Sequence, residues 1–138
     1  MAESRVIHVS GTSTGTANFD SAQLIPRGQQ CLLVGATIRG NLAGSLVGET
    51  EGSEELLFFV PCGELFTAAS DNFRAVEHFV GTAGEFDGME ATFTSVGRFD
   101  KGTYTGISRV EGDMSGVLHV SGSAATGVTY DGNLVVND

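Results

Sequence analysis

Two prolines, one lysine, two cysteines and no long apolar run set the first limits on this 138-residue chain. With Lys101 as the lone lysine, the net charge is −10. Such a surface repels phosphate backbones and anionic lipid, which argues against nucleic acid and membrane surfaces as partners. Its plainest role is solubility. Cys31 and Cys62 are too few for a disulfide framework. The opening Met-Ala-Glu-Ser-Arg has no basic region followed by an apolar run, so no secretory signal is read. No apolar stretch reaches membrane-spanning length. The expectation is a reduced, cytoplasmic protein with both thiols buried as small hydrophobes.

Signatures of site chemistry are equally scarce. There is no Cys-x-x-Cys and no His-Glu-x-x-His, and His8, His78 and His119 lie far apart in the chain. Glu85, Asp87 and Glu90 flank Gly88 but lack the calcium-loop pattern, and a solvated hairpin tip accounts for them. Gly11 and Gly15 are not followed by the Gly-Lys-Ser/Thr of a phosphate loop. No Gly-x-Ser-x-Gly elbow exists, and Ser123 sits in a turn-rich stretch. The sequence therefore predicts no metal and no cofactor.

Glycine is abundant, with twenty residues spread along the chain. Glycine weakens helix interiors and permits tight turns and bulges, so this spread predicts many short strands. Turn signals fall at Gly40-Asn41, Glu51-Gly52-Ser53, Asp87-Gly88, Asp100-Lys101-Gly102, Glu111-Gly112-Asp113 and Asp131-Gly132. Most are about ten residues apart, the spacing of a sandwich or barrel. Between them the chain alternates. Leu32, Val34, Ala36 and Ile38 share one face, and Ala91, Phe93, Ser95, Gly97 and Phe99 share another. Period two marks a strand with one buried face. Strands are predicted over 5–14, 30–39, 41–49, 55–60, 64–68, 73–82, 89–99, 102–110, 116–121 and 127–136. The best helical window, Gly63–Ser70, is short. Glu49, Glu51, Glu54 and Glu55 read as a solvated hairpin turn.

One domain of this length buries roughly 70% of its unfolded surface, enough for a core without staples. Short antiparallel strands with no covering helices leave a sandwich or a barrel. The reading adopted is an all-β fold, a small closed antiparallel β-barrel of about eight strands spanning residues 1–138. Val76, Phe79 and Val80 place apolar residues on both faces of one strand, which predicts a homo-oligomer, a dimer or larger.

One stretch carries a resemblance. From Ala75 the chain reads Ala-Val-Glu-His-Phe-Val-Gly-Thr-Ala-Gly-Glu-Phe-Asp-Gly-Met-Glu-Ala-Thr-Phe. An apolar strand carrying Glu77, then Val80-Gly81-Thr82, a glycine turn from Gly84 to Gly88 and a strand from Met89 to Phe99 resembles a bacterial family of uncharacterised barrels. That family is grouped by fold with plant allene oxide cyclase. Gly112-Asp113-Met114-Ser115-Gly116-Val117-Leu118 and Ile38-Arg39-Gly40-Asn41-Leu42 are similar to further segments of it. The likeness spans about 75–122 and, weakly, 30–49. The chain departs from the family at residues 53–71, which are longer and more apolar, near the pocket mouth. The resemblance implies an allene oxide cyclase-like barrel whose lumen holds a hydrophobic small molecule. It also implies cofactor-free isomerase or cyclase chemistry, on a substrate such as a polyketide- or lipid-derived biosynthetic intermediate.

Glu77 stands among Ala75, Val76, Phe79 and Val80 in a run otherwise fit for burial. A carboxylate on an apolar lumen face would be desolvated and its pKa raised, which suits a proton shuttle. The competing reading is a structural tie to Arg39, Arg74 or Arg98. Tyr104, beside Gly106 and Ser108, is a candidate to orient a carbonyl, or a packing residue. Phe58, Phe66, Phe79, Phe93 and Phe99 are candidate pocket walls as well as core. Two functions stay open: a cofactor-independent isomerase or cyclase using Glu77 and Tyr104, and a non-catalytic carrier of a hydrophobic small molecule.

Overall fold

The computed structural model describes residues 4–123 and 127–137. Residues 1–3, which open the N-terminal reading, and 124–126, the turn-rich stretch after Ser123, lie outside the described residues. Nine strands run in chain order: β1 (Ser4–Asn18), β2 (Gln23–Arg27), β3 (Gln30–Gly44), β4 (Val47–Phe58), β5 (Ser70–Ala83), β6 (Glu90–Asp100), β7 (Thr103–Gly112), β8 (Met114–Ser123) and β9 (Gly127–Asn137). Short 3-10 turns occupy Cys62–Thr67 and Gly84–Phe86. Each strand pairs antiparallel with its neighbour in the order β1-β9-β8-β7-β6-β5-β4-β3, and a β1–β3 pairing closes the ring. The fold is thus a closed antiparallel barrel of eight strands, with β2 as one extra strand.

β1 and β2 share a single edge. β1 lies along residues 37–44 of β3 and β2 along residues 30–34, both antiparallel to it. The break between them faces a bulge in β3, where Leu33 pairs with Leu56 but the next pair is Ala36 with Glu54. Gly35 sits in that bulge at φ 82°. Its carbonyl accepts the Ser21 hydroxyl at 3.1 Å from the facing break.

The bulge corrects the predicted face of β3. Cys31, Leu33, Ala36 and Leu42 are the buried positions, so Leu32 and Val34 do not share a face with Ala36. An extra residue exchanges the two faces of a strand, and strict alternation cannot see it.

Several turn signals are also corrected. Gly40-Asn41 lies inside β3, Glu51-Gly52-Ser53 inside β4 and Asp131-Gly132 inside β9. These glycines mark close approach between strands rather than chain reversal. A Cβ on Gly52 would stand 1.9 Å from the Val76 carbonyl oxygen. The glutamate cluster at 49–55 is therefore not a hairpin tip. The 64–68 segment is the 3-10 turn instead of a strand, and β2 had no expectation.

The cysteines are the largest correction. Cys31 and Cys62 form a disulfide with Cα atoms 4.8 Å apart. Cys31 is the second residue of β3 and Cys62 opens the 3-10 turn, so the bridge ties the apolar 59–69 connection to the barrel wall. Their separation of 31 residues hid the pairing, because spacing alone does not report proximity across a sheet. No helix among the described residues is long and apolar enough to cross a membrane.

One end of the barrel is filled. Val9, Leu46, Phe79, Phe86, Met114, Leu134 and Val136 pack there, each at most 1% exposed. The Tyr130 hydroxyl pins this plug. It donates to the Ala43 carbonyl at 2.8 Å and accepts the Leu46 amide at 2.9 Å.

Candidate functional site

Above the plug the lumen opens into a cavity of about 340 Å³. That volume lies within the range of small-molecule pockets, roughly 300–1,000 Å³. Its walls come from alternate residues of the barrel strands. Leu56, Phe73, Leu118, Val120 and Val128 give apolar surface, and Phe93 and Tyr130 form the floor. Ser95 and Ser108 hydrogen-bond to one another at 2.9 Å across β6 and β7. Phe19, from the break between β1 and β2, reaches the wall near the mouth.

Three carboxyl groups and one phenol project into this space: Glu54 from β4, Asp71 and Glu77 from β5, and Tyr104 from β7. Burial raises Glu54 above its ordinary 4.5, and the charges of Asp71 and Glu77 raise it further. Burial raises Asp71 above 3.8. Burial raises Glu77 above 4.5, partly offset by a hydrogen bond from the Thr50 side chain. Tyr104 is raised above 10.0 by burial, then by Asp71 and Glu54. The acids therefore hold protons more tightly than free carboxylates do, and the phenol stays a hydrogen-bond donor at neutral pH. Among the described residues, no group of three His, Cys, Asp or Glu side chains is placed to hold a metal ion.

Of the three arginines that could have tied Glu77, two are engaged on the outer wall and the third, Arg98, is exposed. Arg39 pairs with Glu51 at 3.4 Å and Arg74 with Glu55 at 4.0 Å. Among the described residues no ion pair involves Glu77. A wider groove, about 480 Å³, runs along this outer wall past Arg39, Glu51 and His78. Its charged side chains are solvated.

Of the residues singled out from the sequence, Glu77, Tyr104 and Phe93 line the cavity. Phe79 does not. It is fully buried in the plug and stacks on Phe93 with ring centroids 5.3 Å apart. Phe99 lies behind Tyr104, with ring centroids 4.7 Å apart, and supports it. Phe58 pairs with Cys31 and Asp71 at the mouth end without lining the cavity. Phe66 stands 89% exposed on the 3-10 turn, because the disulfide holds that turn at the rim with its aromatic ring outward.

The sequence reading missed Glu54, Asp71 and Phe73. Glu54 shares a face with Thr50, Gly52 and Leu56, a signal obscured once Gly52 is read as a turn. Asp71 falls in step with Phe73, Ala75 and Glu77, but a strand begun at residue 73 leaves it out. No family model matches the chain, and no curated protein matches it.

Proposed function

We propose that this protein binds a hydrophobic small molecule in the barrel lumen. The observation that carries this reading is the cavity itself, a mostly apolar space beside a fully packed plug, with polar groups converging at a few points. The eight-stranded closed barrel also supports the allene oxide cyclase-like family reading, which rests on the residues from Ala75 to Gly122.

Ala75 tests the binding claim. It is 5% exposed, lines the cavity and stands opposite Glu54. Ala75→Phe fills the lumen without touching a hydrogen bond. Wild-type protein is expected to bind the neutral hydrocarbon diphenylhexatriene with enhanced fluorescence, and Ala75→Phe to lose most of that signal while its far-ultraviolet circular dichroism is unchanged. Equal fluorescence from both proteins would place the probe elsewhere.

A catalytic reading is favoured by the raised carboxyls. Glu77, whose burial raises its affinity for a proton, suits proton transfer, and Tyr104 suits donating a hydrogen bond to a substrate oxygen. These are the parts of a cofactor-independent isomerase or cyclase that holds its substrate in one reactive shape. Without such turnover the same cavity serves a carrier.

The setting is part of the proposal. The disulfide supports an oxidising compartment in place of the cytoplasm expected from the sequence. The acidic surface supports a protein that binds neither nucleic acid nor anionic membrane. Val76, Val96, Ile107 and Val117 are each more than 40% exposed on the outer faces of β5 to β8, and Val96 stands opposite Ile107. This stripe supports a homo-oligomer built on the outer wall. Sedimentation at micromolar concentration should give at least twice the chain mass, and Ile107→Glu should return it to the monomer. A wild-type monomer would remove the oligomer.

A further inference from the structure

Resting on the lumen reading, we propose that the ligand is amphipathic and carries a protonated amine seated against Asp71 and Glu54. Asp71 is 8% exposed, and its Oδ1 makes no hydrogen bond among the described residues. Its cross-strand neighbours are Phe58 on β4 and Phe99 on β6, whose side chains have no donor to offer. A buried acceptor without a partner is costly and marks a place where a donor is missing.

Charge decides what kind of donor fits. Glu54 lies on the strand beside Asp71, close enough to feel the charges of Asp71 and Glu77. None of the residues lining the cavity is Arg, Lys or His. The nearby basic side chains Arg39, Arg74 and His78 sit on the outer wall, next to Glu51, Glu55 and Glu90. A cluster of buried acids with no counter-charge repels a carboxylate ligand and attracts a cation. Aromatic rings surround the same point. Tyr104 packs edge-on to Phe73 at 6.1 Å and against Phe99 at 4.7 Å. Such rings stabilise an ammonium group further. The apolar wall of Leu56, Leu118 and Val120 then takes the hydrocarbon part.

Three eight-carbon probes separate the possibilities: n-octylammonium, n-octanol and n-octanoate, titrated calorimetrically at neutral pH. Octylammonium is expected to bind roughly tenfold or more tighter than octanol, the worth of hydrogen bonds to a charged group. Octanoate should bind weakest. Asp71→Asn and Glu54→Gln should each lower octylammonium affinity severalfold and leave octanol affinity unchanged or improved. If one variant fails to fold, the other and the wild-type comparison still decide. Octanol binding as tightly as octylammonium, or octanoate binding more tightly, would overturn the amine while leaving lumen binding intact. So would silence from all three probes while diphenylhexatriene still binds. A preference for octylammonium that survives Ala75→Phe would reflect attraction to the acidic surface and would also overturn it. Silence from all four ligands would remove the lumen reading as well.

Discussion

Cys62→Ser is expected to lower the free energy of unfolding by about 2–4 kcal/mol, the usual effect of opening a disulfide-closed loop of this order of length. The loop from Cys31 to Cys62 includes most of β3, all of β4 and the first residue of the 3-10 turn. Cys62 is the better position to change. Cys31 is fully buried, and a serine there would add the cost of burying a hydroxyl. Urea unfolding of wild-type protein in dithiothreitol should superimpose on that of Cys62→Ser. The bridge also fixes the 59–69 segment at the cavity mouth, so reduction should loosen the rim before the plugged end. Identical unfolding curves with and without reductant would mean that the bridge adds nothing to stability.

The second large effect concerns pH. Glu54, Asp71 and Glu77 all bind their protons more tightly in the folded chain than in the unfolded one. Groups raised in this way add stability that is fully present below their ordinary values, 3.8 for Asp71 and 4.5 for the two glutamates. That stability is lost as pH climbs through the raised folded values. The protein should therefore lose stability on going from mildly acidic to neutral solution. Its net charge of −10 pushes the same way through self-repulsion, so comparison with variants is what isolates the lumen.

Glu54→Gln and Glu77→Gln should be as stable as wild type near pH 4 and more stable at pH 7. Glutamine at 77 keeps a carbonyl oxygen for the Thr50 hydrogen bond while removing the buried charge. Thermal unfolding of the three proteins between pH 4 and 8 measures the difference. A Glu77→Gln protein that melts lower than wild type at pH 7 would restore the structural-tie reading, in which an arginine loses its partner.

The strand rhythm and the barrel class were legible in the sequence because glycine punctuation and period-two alternation are local signals. The same glycines misled where they sit inside strands. Gly40, Gly52 and Gly132 occupy close approaches between neighbouring strands, a role the sequence cannot distinguish from a turn. The bulge at Gly35 reversed the predicted faces at the start of β3 for a related reason, since one extra residue changes every later side. In the site, Glu77 was legible as an acid in an apolar strand. Glu54 was not, because it stands among glutamates that face solvent. The Cys31–Cys62 bridge depends on a β3–β4 register that no spacing rule carries.

The central claim is where a ligand binds, and methyl chemical shifts locate it most directly. Methyl-labelled protein titrated with octylammonium should show its largest shifts at Leu56, Leu118, Val120 and Val128, which line the cavity. Val76, Val96, Ile107 and Val117, exposed on the outer wall, should stay still. Shifts confined to the outer-wall methyls, with the lumen methyls unmoved at saturation, would contradict the account.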